Sequence, residues 1–440
     1  MRPRVQTAPL GRWVDPADAY AAICGDSDAA FWLDSGPNAT TGHSYLGLAS
    51  AVTTDFGGPV LDWLRASSRD ADTRDAAPGF TLGQVGWLGY ELRGETMGVP
   101  VERTSRYPLA AFLTVDRALA FDHATHEVTL MALDDVQGYR DFVVAALEQP
   151  PVEPVETSPR KATARWAYTD DEYLTMIEAC QAAIVEGDAY QLCLTTEVSV
   201  PSTSADATPD PVATYLALRA SSPTHHGALL RAGKISLLSA SPEQFLAVSA
   251  DGIVTTSPIK GTRPRGATEA GDWVLREELV TSDKERAENL MIVDLMRNDI
   301  ARISKVGSVS VTSLMGVESY AQVHQLVSTV RGELAEGLTA IDAIAACFPA
   351  GSMTGAPKLS ATSILDSLEH RARGIYAGAF GYIGLDGAVD LAMVIRSIII
   401  DPDGATVGTG GGITALSVPT EELAEAKLKA EALLRVLGAD

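Results

Sequence analysis

The sequence predicts an α+β fold in which antiparallel sheets form a sandwich flanked by helices. Three observations support this prediction: strand-like and helical patterns are interspersed, several strand-like stretches are separated only by short turns, and strand and helix do not alternate regularly. The 440 residues are 46% hydrophobic and 21% charged, as in a globular protein large enough to bury a deep site.

The first 150 residues form a predicted N-terminal lobe of mixed strand and helix. Residues 128–133 read as a strand, and residues 83–90 place three glycines among apolar side chains, which indicates closely approaching backbones. Residues 151–165 are rich in proline and polar residues without periodicity, which predicts a linker. Residues 166–440 then form the second predicted domain.

Three helices are predicted in the second domain. The first begins after the N-cap Thr169 and ends at Gly187. The second spans residues 283–298 after the cap Ser282, and the third spans residues 421–437. The inward-facing residues predicted for the second helix are Leu290, Val293, Leu295 and Met296.

The same domain contains strand-like stretches that predict hairpins. They lie at residues 191–200, 235–240, 245–248, 253–256, 379–385, 391–400 and 406–408. Together with the helices, they complete the predicted sandwich.

Charge and composition exclude several classes of protein. The formal net charge of −23 repels phosphate and so opposes binding to nucleic acid or anionic lipid. No apolar run reaches the roughly 18 residues of a membrane span, and the N-terminus lacks the pattern of a signal peptide. The four cysteines are scattered without a Cys-x-x-Cys pair, which predicts neither a zinc site nor disulfides. We therefore expect a cytoplasmic protein that binds neither nucleic acid nor membrane.

Two predicted helices carry acidic pairs. Glu285 and Glu288 are three residues apart on one helix, as are Glu422 and Glu425 on another, so that each pair shares a face. Solvated surface charge is the simpler interpretation of either pair alone. If the pairs lie close together, their oxygens suit Mg²⁺ rather than zinc, because no Cys or His cluster accompanies them.

Two glycine-rich segments and one lysine are further candidates. Residues 408–412 follow a strand and expose backbone N–H groups to a potential anion, although a simple turn fits equally well. Residues 349–358 lack the Gly-Lys-Ser/Thr order of a nucleotide P-loop, so ATP binding is not predicted. Lys260 follows an apolar strand, where desolvation would favour a neutral, nucleophilic amine; an isolated lysine more often faces solvent.

Long motifs are similar to those of a known family, the chorismate-utilising enzymes, which include anthranilate, isochorismate, salicylate and aminodeoxychorismate synthases. The resemblance covers nearly the whole chain and implies the anthranilate synthase component I fold. It also implies a similar N-terminal lobe over residues 1–150 and a chorismate-binding catalytic domain over residues 166–440. The motifs are Ser241-Pro242-Glu243, Pro258-Ile259-Lys260-Gly261-Thr262, residues 287–299, residues 349–358 and the Gly410 segment leading to Glu425.

The resemblance implies roles for individual residues. Glu288 and Glu425 would bind Mg²⁺, with Glu285 and Glu422 close to the metal. Arg396 would suit one of the substrate's two carboxylates, because its guanidinium can bind a carboxylate through two hydrogen bonds. The positions implied to contact chorismate are His324, Ser352, Tyr376, Arg396, Gly411, Gly412 and Lys429. Ordinary packing is the alternative for His324 and Tyr376.

The residue inside the Pro-Ile-x-Gly-Thr motif separates activities in the family. Aminodeoxychorismate synthases resemble this chain in having lysine there, whereas the other enzymes have alanine. The resemblance therefore implies amination of chorismate at C4, with Lys260 as covalent nucleophile and Glu243 as general acid. The product, 4-amino-4-deoxychorismate, leads to 4-aminobenzoate and folate. The alternatives are an anthranilate synthase large subunit, which aminates C2 with loss of pyruvate, and a non-catalytic chorismate-binding relative.

The resemblance also implies partners. No segment resembles a glutamine amidotransferase, so ammonia would come from a separate glutaminase subunit. Residues 31–35 and 86–92 resemble the aminodeoxychorismate branch more than the anthranilate branch. Relatives hold a tryptophan pocket in the N-terminal lobe, but tryptophan binding here is left open. Gln244, Cys193 and Leu416 depart from the family pattern without removing an assigned catalytic group.

Overall fold

The computed structural model describes residues 4–25, 27–67, 71–74, 76, 79–149, 162–202, 208–320 and 323–439. The strands are, in chain order, β1 (Gln6–Pro9), β2 (Ala29–Asp34), β3 (His43–Leu48), β4 (Ala51–Thr53), β5 (Gly83–Leu88), β6 (Ala110–Val115), β7 (Arg117–Asp122), β8 (Glu127–Ala132), β9 (Arg165–Trp166), β10 (Gln191–Pro201), β11 (His226–Ala232), β12 (Ile235–Ser241), β13 (Gln244–Val248), β14 (Ile253–Ser257), β15 (Ile259–Pro264), β16 (Ser310–Ser319), β17 (Val323–Glu333), β18 (Gly355–Ala356), β19 (Ala379–Gly384), β20 (Val389–Met393), β21 (Ser397–Asp401) and β22 (Gly404–Ile413).

The α-helices of the described residues are α1 (Pro16–Ile23), α2 (Val60–Ser67), α3 (Arg93–Met97), α4 (Val136–Leu147), α5 (Asp170–Glu186), α6 (Pro211–Ser221), α7 (Glu269–Thr281), α8 (Asp283–Ala301), α9 (Ala340–Cys347), α10 (Lys358–Glu369) and α11 (Pro419–Val436). None of the described helices is long and apolar enough to cross a membrane.

The strands form two antiparallel sheets. The order of the first is β1-β8-β7-β3-β2-β11-β12-β21-β22-β10-β18, with β9 also paired to β10. The order of the second is β15-β17-β14-β13-β20-β19-β5-β6-β4, with β16 also paired to β17. Each sheet therefore contains strands from both ends of the chain.

The two sheets pack face to face and are covered by helices on their outer faces. Phe31 and Tyr45 of the first sheet share a buried apolar cluster with Val85, Trp87 and Phe380 of the second. Helices α1, α4, α6 and α11 pack on the outer face of the first sheet, and α2, α8 and α9 pack on that of the second. The predicted α+β sandwich with antiparallel sheets flanked by helices is confirmed.

Backbone hydrogen bonds join the two predicted domains. In the first sheet β2 pairs with β11, so that Trp32 lies opposite Leu229. In the second sheet β5 pairs with β19, so that Trp87 lies opposite Phe380. The division into two lobes stays a prediction. Of the predicted linker, residues 151–161 lie outside the described residues.

The predicted helices of the second domain are confirmed. A capping box between Thr169 and Glu172 begins α5, and Gly187 ends it with a left-handed φ of 90°. The hydroxyl of Ser282 accepts a hydrogen bond from the backbone N–H of Glu285 at the start of α8. The third predicted helix is α11, which begins two residues earlier than expected.

One inward-facing residue of α8 was predicted wrongly. Leu290 is 53% exposed, whereas Val293 and Met296 are buried and Leu295 packs against the same core. The buried position at this level belongs to the preceding residue, Asn289, whose amide donates to the Leu326 carbonyl and accepts from the Ser328 hydroxyl. A polar residue that finds its partners only after folding gives no apolar signal in the sequence.

Two strand predictions were also wrong in detail. Residues 391–400 do not form one strand: β20 belongs to the second sheet and β21 to the first, and Arg396 between them has a left-handed φ of 48°. Residues 408–412 are not a turn after a strand but part of β22, where they pair with β10. The chain thus crosses between the sheets directly beside a candidate site residue.

Candidate active site

A cavity of about 550 Å³ is lined by residues of β10, β15, β17, β22, α8, α11 and residues 352–353. Every predicted site residue lines it except His324. The others are Glu243, Lys260, Glu285, Glu288, Ser352, Tyr376, Arg396, Gly411, Gly412, Glu422, Glu425 and Lys429. The fold therefore brings together two helices and several strands that the sequence could only present as separate motifs.

His324 is placed elsewhere, on the other face of β17. Its ring is buried, with Nδ1 2.7 Å from the Ser319 hydroxyl and Nε2 3.0 Å from an Asp272 carboxylate oxygen. Because side chains alternate along a strand, the next residue, Gln325, lines the cavity instead. The substrate contact assigned to His324 stays a prediction, and in this structure its ring nitrogens are engaged by Ser319 and Asp272.

The carboxylates of α8 and α11 lie close enough to influence one another. Partial burial raises the pKa of Glu288, and the negative charges of Glu285 and Glu422 raise it further. The cations Lys260 and Lys284 act in the opposite direction. A carboxylate in this situation is a favourable place for an additional cation.

Two of the four helix carboxylates are already paired with lysines. Lys284 of α8 lies 3.3 Å from Glu422 of α11, which also accepts a hydrogen bond of 2.7 Å from the Ser417 hydroxyl. Lys429 lies 2.7 Å from Glu425 and donates to the Gly410 carbonyl at 3.0 Å. Burial alone would raise the pKa of Glu425, but the charge and hydrogen bond of Lys429 bring it below its ordinary value.

The donor set suits magnesium in chemistry but does not form a closed cage. Carboxylate oxygens are the ligands that magnesium prefers, and the ion commonly keeps several waters while binding one or two protein carboxylates and an anionic ligand. Within the described residues, no group of three or more His, Cys, Asp or Glu side chains is arranged to hold a metal ion. Glu288 and Glu425 could therefore hold the ion only with water and a ligand completing its coordination.

Glu243 lies in the buried wall of the cavity, in the short connection between β12 and β13. The residue is 8% exposed, and burial raises the pKa of its carboxyl group. The charge of Lys260 opposes this rise, as do the neighbouring Ser352 hydroxyl and Ile259 backbone N–H, which favour the charged carboxylate. A buried acid with a raised pKa can hold a proton close to neutral pH and give it to a leaving group.

Lys260 is half-buried on β15 and projects into the cavity. Its amine makes no hydrogen bond or ion pair with the described residues, although its charge acts on Glu243, Glu288 and Glu425. The next residue, Gly261, has a left-handed φ of 82°, and a side chain there would press on Glu285. The glycine therefore allows the lysine strand to pass directly beside α8.

Comparison with protein-family models supplies the decisive observation. The model described as chorismate binding enzyme matches residues 28–435. The chain belongs to this family. This match confirms the resemblance to the family that the sequence motifs indicated.

Named relatives lie on two branches of the chorismate binding enzymes. The chain is 37% identical to the aminodeoxychorismate synthase of Streptomyces pristinaespiralis and 40% identical to that of Streptomyces griseus, over 98% and 97% of its own length. It spans less than two thirds of those relatives, 66% and 63% of their lengths. The crystal structure of anthranilate synthase component I from Streptococcus pneumoniae superposes with a TM-score of 0.77 at 29% identity, covering 97% of this chain and 98% of that one. The expected anthranilate synthase component I fold is confirmed.

The glycines of β22 let bulky and charged groups approach the backbone of this family member. A side chain at Gly408 would collide with the ring of Tyr376, so the tyrosine packs flat against the strand. A Cβ atom at Gly411 would lie 3.3 Å from a Glu422 oxygen and 4.0 Å from the Lys429 nitrogen. The glycine-rich part of β22 therefore lies between the Tyr376 ring and the charged side chains of α11.

Arg396 differs from the paired lysines. Its side chain is exposed within the cavity, and its guanidinium makes no hydrogen bond or ion pair with the described residues. An unpaired guanidinium beside a cavity is suited to bind a carboxylate through two hydrogen bonds.

Sequence analysis missed several polar residues of the cavity: Arg263, Lys284 and Gln325. A signal existed for Lys284, because it precedes Glu288 by four residues and so shares its helical face. Gln325 had no such signal. It and both of its neighbours, His324 and Leu326, are buried, so this part of β17 lacks the alternation of polar exposed and apolar buried residues that would indicate which side chain faces the cavity.

Proposed function

We propose that this chain aminates chorismate at C4 to give 4-amino-4-deoxychorismate, the precursor of 4-aminobenzoate in folate synthesis. Lys260 carries the proposal, because its amine, which is unpaired among the residues that the structure describes, faces the same cavity as Glu243 and the carboxylates of α8 and α11. The names of the two Streptomyces relatives support the same reaction.

The first step is displacement of the C4 hydroxyl by Lys260. The neutral amine forms a bond to ring carbon C2, the two ring double bonds shift, and the bond from C4 to oxygen breaks. Glu243 gives its proton to the departing hydroxyl, which leaves as water. The raised pKa of Glu243 keeps this proton available.

The second step is the reverse displacement by ammonia. Ammonia forms a bond to C4, the double bonds shift back, and the amine of Lys260 leaves from C2. The new amino group thus takes the place of the hydroxyl. We propose that a separate glutamine amidotransferase subunit supplies the ammonia in the cell.

Substrate binding is assigned to both faces of the cavity. Arg396 and Lys429 would bind the two carboxylates of chorismate, with Ser352, Tyr376 and the backbone of Gly411 and Gly412 lining the ring. When bound by Glu288 and Glu425, with Glu285 and Glu422 nearby, Mg²⁺ would fix the ring carboxylate and neutralise its charge.

The test is a product assay on the purified chain with chorismate, ammonium salt and magnesium. The expected product is one that a separate lyase converts to 4-aminobenzoate. Glutamine should replace ammonium only when a glutaminase subunit is added. Fluorescent anthranilate as the main product would contradict the proposal.

Anthranilate synthase is the second candidate, favoured by the likeness to the Streptococcus pneumoniae structure. A third candidate is a relative that binds chorismate without turnover. Binding of chorismate without its consumption at any ammonium concentration would identify that case.

Tryptophan binding is a separate proposal. A second cavity, of about 70 Å³, lies between the sheets and is lined by Asp34, Tyr45 and His226 among others. Its lining includes Leu33 and Asp34 of the N-terminal lobe, the lobe in which relatives hold a tryptophan pocket. Calorimetric titration with tryptophan would decide whether this pocket binds the amino acid.

A further inference from the structure

A buried ion pair lies directly behind the cavity wall. Arg373 and Glu369 are 2% and 3% exposed, and two guanidinium nitrogens lie 2.8 and 2.6 Å from the two carboxylate oxygens. The guanidinium also stacks over the Tyr90 ring at 4.3 Å from its centre. Neither residue lines the cavity, and the resemblance assigned no role to either.

The pair is bonded to the two segments that carry the wall. Arg373 donates to the Met353 carbonyl at 2.6 Å and to the Cys193 carbonyl at 2.8 Å. Glu369 accepts from the backbone N–H of Thr195 at 2.9 Å. Met353 and Cys193 both line the cavity. One guanidinium therefore fixes the loop 351–353 against β10.

The loop fixed in this way carries the partner of Glu243. Ser352 immediately precedes Met353, is 9% exposed and lines the cavity together with Glu243, and its hydroxyl lowers the pKa of the Glu243 carboxyl group. A displacement of the Met353 carbonyl would move the Ser352 hydroxyl with it. The contacts thus run from Glu369 through Arg373 and the loop to the proposed acid.

Stability alone does not account for such a pair. Removing two charges from water costs about as much as their attraction returns, and well-packed apolar residues often replace a buried ion pair without loss. A guanidinium can, however, donate several hydrogen bonds in a fixed plane. The pair is therefore well suited to hold neighbouring groups in one geometry.

We propose that Arg373, held by Glu369, is a positioning residue that keeps the Ser352 hydroxyl beside Glu243. The inference rests on the proposed function, because it assumes that Glu243 is the general acid. Arg373 touches no substrate. It acts on the reaction only through the loop and Ser352.

The test compares pH profiles of amination for the intact chain and for Arg373→Lys. A lysine cannot reach both carbonyls and Glu369 together, so the Ser352 hydroxyl should move away from Glu243. That hydroxyl lowers the pKa of Glu243, and its displacement raises it. Since the acid must be protonated, the alkaline limb of kcat should move to higher pH, by about one unit. The other charged group acting on Glu243 is Lys260, which is unchanged in the variant.

A second variant keeps the inference testable if Arg373→Lys folds poorly. Ser352→Ala removes the hydroxyl directly and should move the alkaline limb in the same direction and by a similar amount. The matched control is Arg93→Lys. Arg93 is also a buried arginine that stacks over Tyr90 and pairs with a carboxylate, Asp366, but within the described part of the chain it donates to no residue that lines the cavity. Its replacement should lower the melting temperature without moving the limb.

A direct titration separates this inference from the proposed function. Carbon-13 NMR of a Glu-labelled chain, with Glu243→Gln to assign the signal, reports the pKa of Glu243 without turnover. A higher value in both Arg373→Lys and Ser352→Ala than in the intact chain supports the inference. An unchanged value in a folded Arg373→Lys chain overturns it, even if the intact chain aminates chorismate. Failure of the product assay would instead refute the proposed function.

Discussion

The two sides of the cavity are built in different ways. On the helical side, Lys284, Glu425 and Lys429 are 50%, 49% and 38% exposed at their side chains. On the strand side, Glu243 is 8% exposed and Arg373 behind it is 2% exposed. An exposed ion pair such as Lys429–Glu425 is worth about 0–1 kcal/mol, so its members can change partners readily; Glu422 is buried at 4% exposed, but its partner Lys284 is half exposed. A buried network cannot exchange its partners at so small a cost.

The difference assigns each side a different task in the proposed reaction. The helical side can release its lysines when a cation and an anionic substrate arrive. The strand side keeps one buried acid beside a fixed loop throughout. Lys260 acts on both sides, because its charge influences Glu243 as well as Glu288 and Glu425.

The largest expected effect comes from removing the group that connects the two sides. Lys260→Ala should reduce amination on the order of 10³-fold or more and abolish any covalent adduct detected by mass spectrometry. Lys260→Arg is the matched control, because it keeps the charge and lacks the nucleophile. If Lys260→Arg aminates chorismate at the rate of the intact chain, the charge alone is needed and the covalent step is wrong.

Glu243→Gln tests the strand side. Loss of a general acid should lower kcat about 10²- to 10⁴-fold. The sign of the pH effect follows from its raised pKa: activity is present while Glu243 is protonated and falls as pH rises through that pKa. The alkaline limb of kcat should therefore disappear in Glu243→Gln, as pH-rate measurements would show. A limb that survives unchanged would assign the acid to another residue.

Glu425→Gln tests the helical side. The change should raise the magnesium concentration needed for half-maximal activity, by about 10- to 100-fold, with a smaller effect on kcat at saturating metal. Glu431→Gln is the control on the same helix, because Glu431 is 58% exposed, pairs with Arg435 and lies outside the cavity lining. Equal magnesium dependence in both variants would remove Glu425 from the metal site.

The smallest expected effect comes from Lys284, and it tests whether this lysine competes with magnesium for Glu422. Lys284→Met removes the half-exposed partner of Glu422, which is only 4% exposed and keeps its hydrogen bond from Ser417, so the chain should be destabilised by about 1–3 kcal/mol in thermal unfolding. The same change leaves the Glu422 carboxylate without its lysine, and magnesium should bind more tightly in a calorimetric titration. Weaker magnesium binding would show that Lys284 supports the cation site rather than competing with it.

Caps and apolar spacing within one segment predicted its secondary structure well, but they could not predict contacts between segments that are distant in the sequence. Helix α5 was predicted because its cap, its apolar spacing and its terminal Gly187 all lie within one segment. Leu290 was placed wrongly because the inward position is held by Asn289, whose partners come from β17. The pairing of Glu422 with Lys284 could not be predicted, because the two residues are 138 positions apart.

The site shows the same limit. Motifs marked Glu243, Lys260 and the helix carboxylates through resemblance, yet they could not say which residue of β17 faces inward. Nor did they indicate Arg373, because the backbone carbonyls to which it donates, those of Met353 and Cys193, come close to it only in the folded chain. The residues proposed to touch the substrate lie in recognisable motifs, whereas Arg373, proposed to hold one of them in place, was not indicated by any motif.

The pairing of β5 with β19 has a consequence for how the chain is made. A ribosome completes Gly83–Leu88 long before Ala379–Gly384 exists, so the early strand waits with one edge unpaired. Contacts between such distant segments slow folding, because a long loop must close before they form. Nascent chains released before residue 384 should therefore be prone to aggregate, and cooperative unfolding should engage the whole protein at once rather than one half before the other.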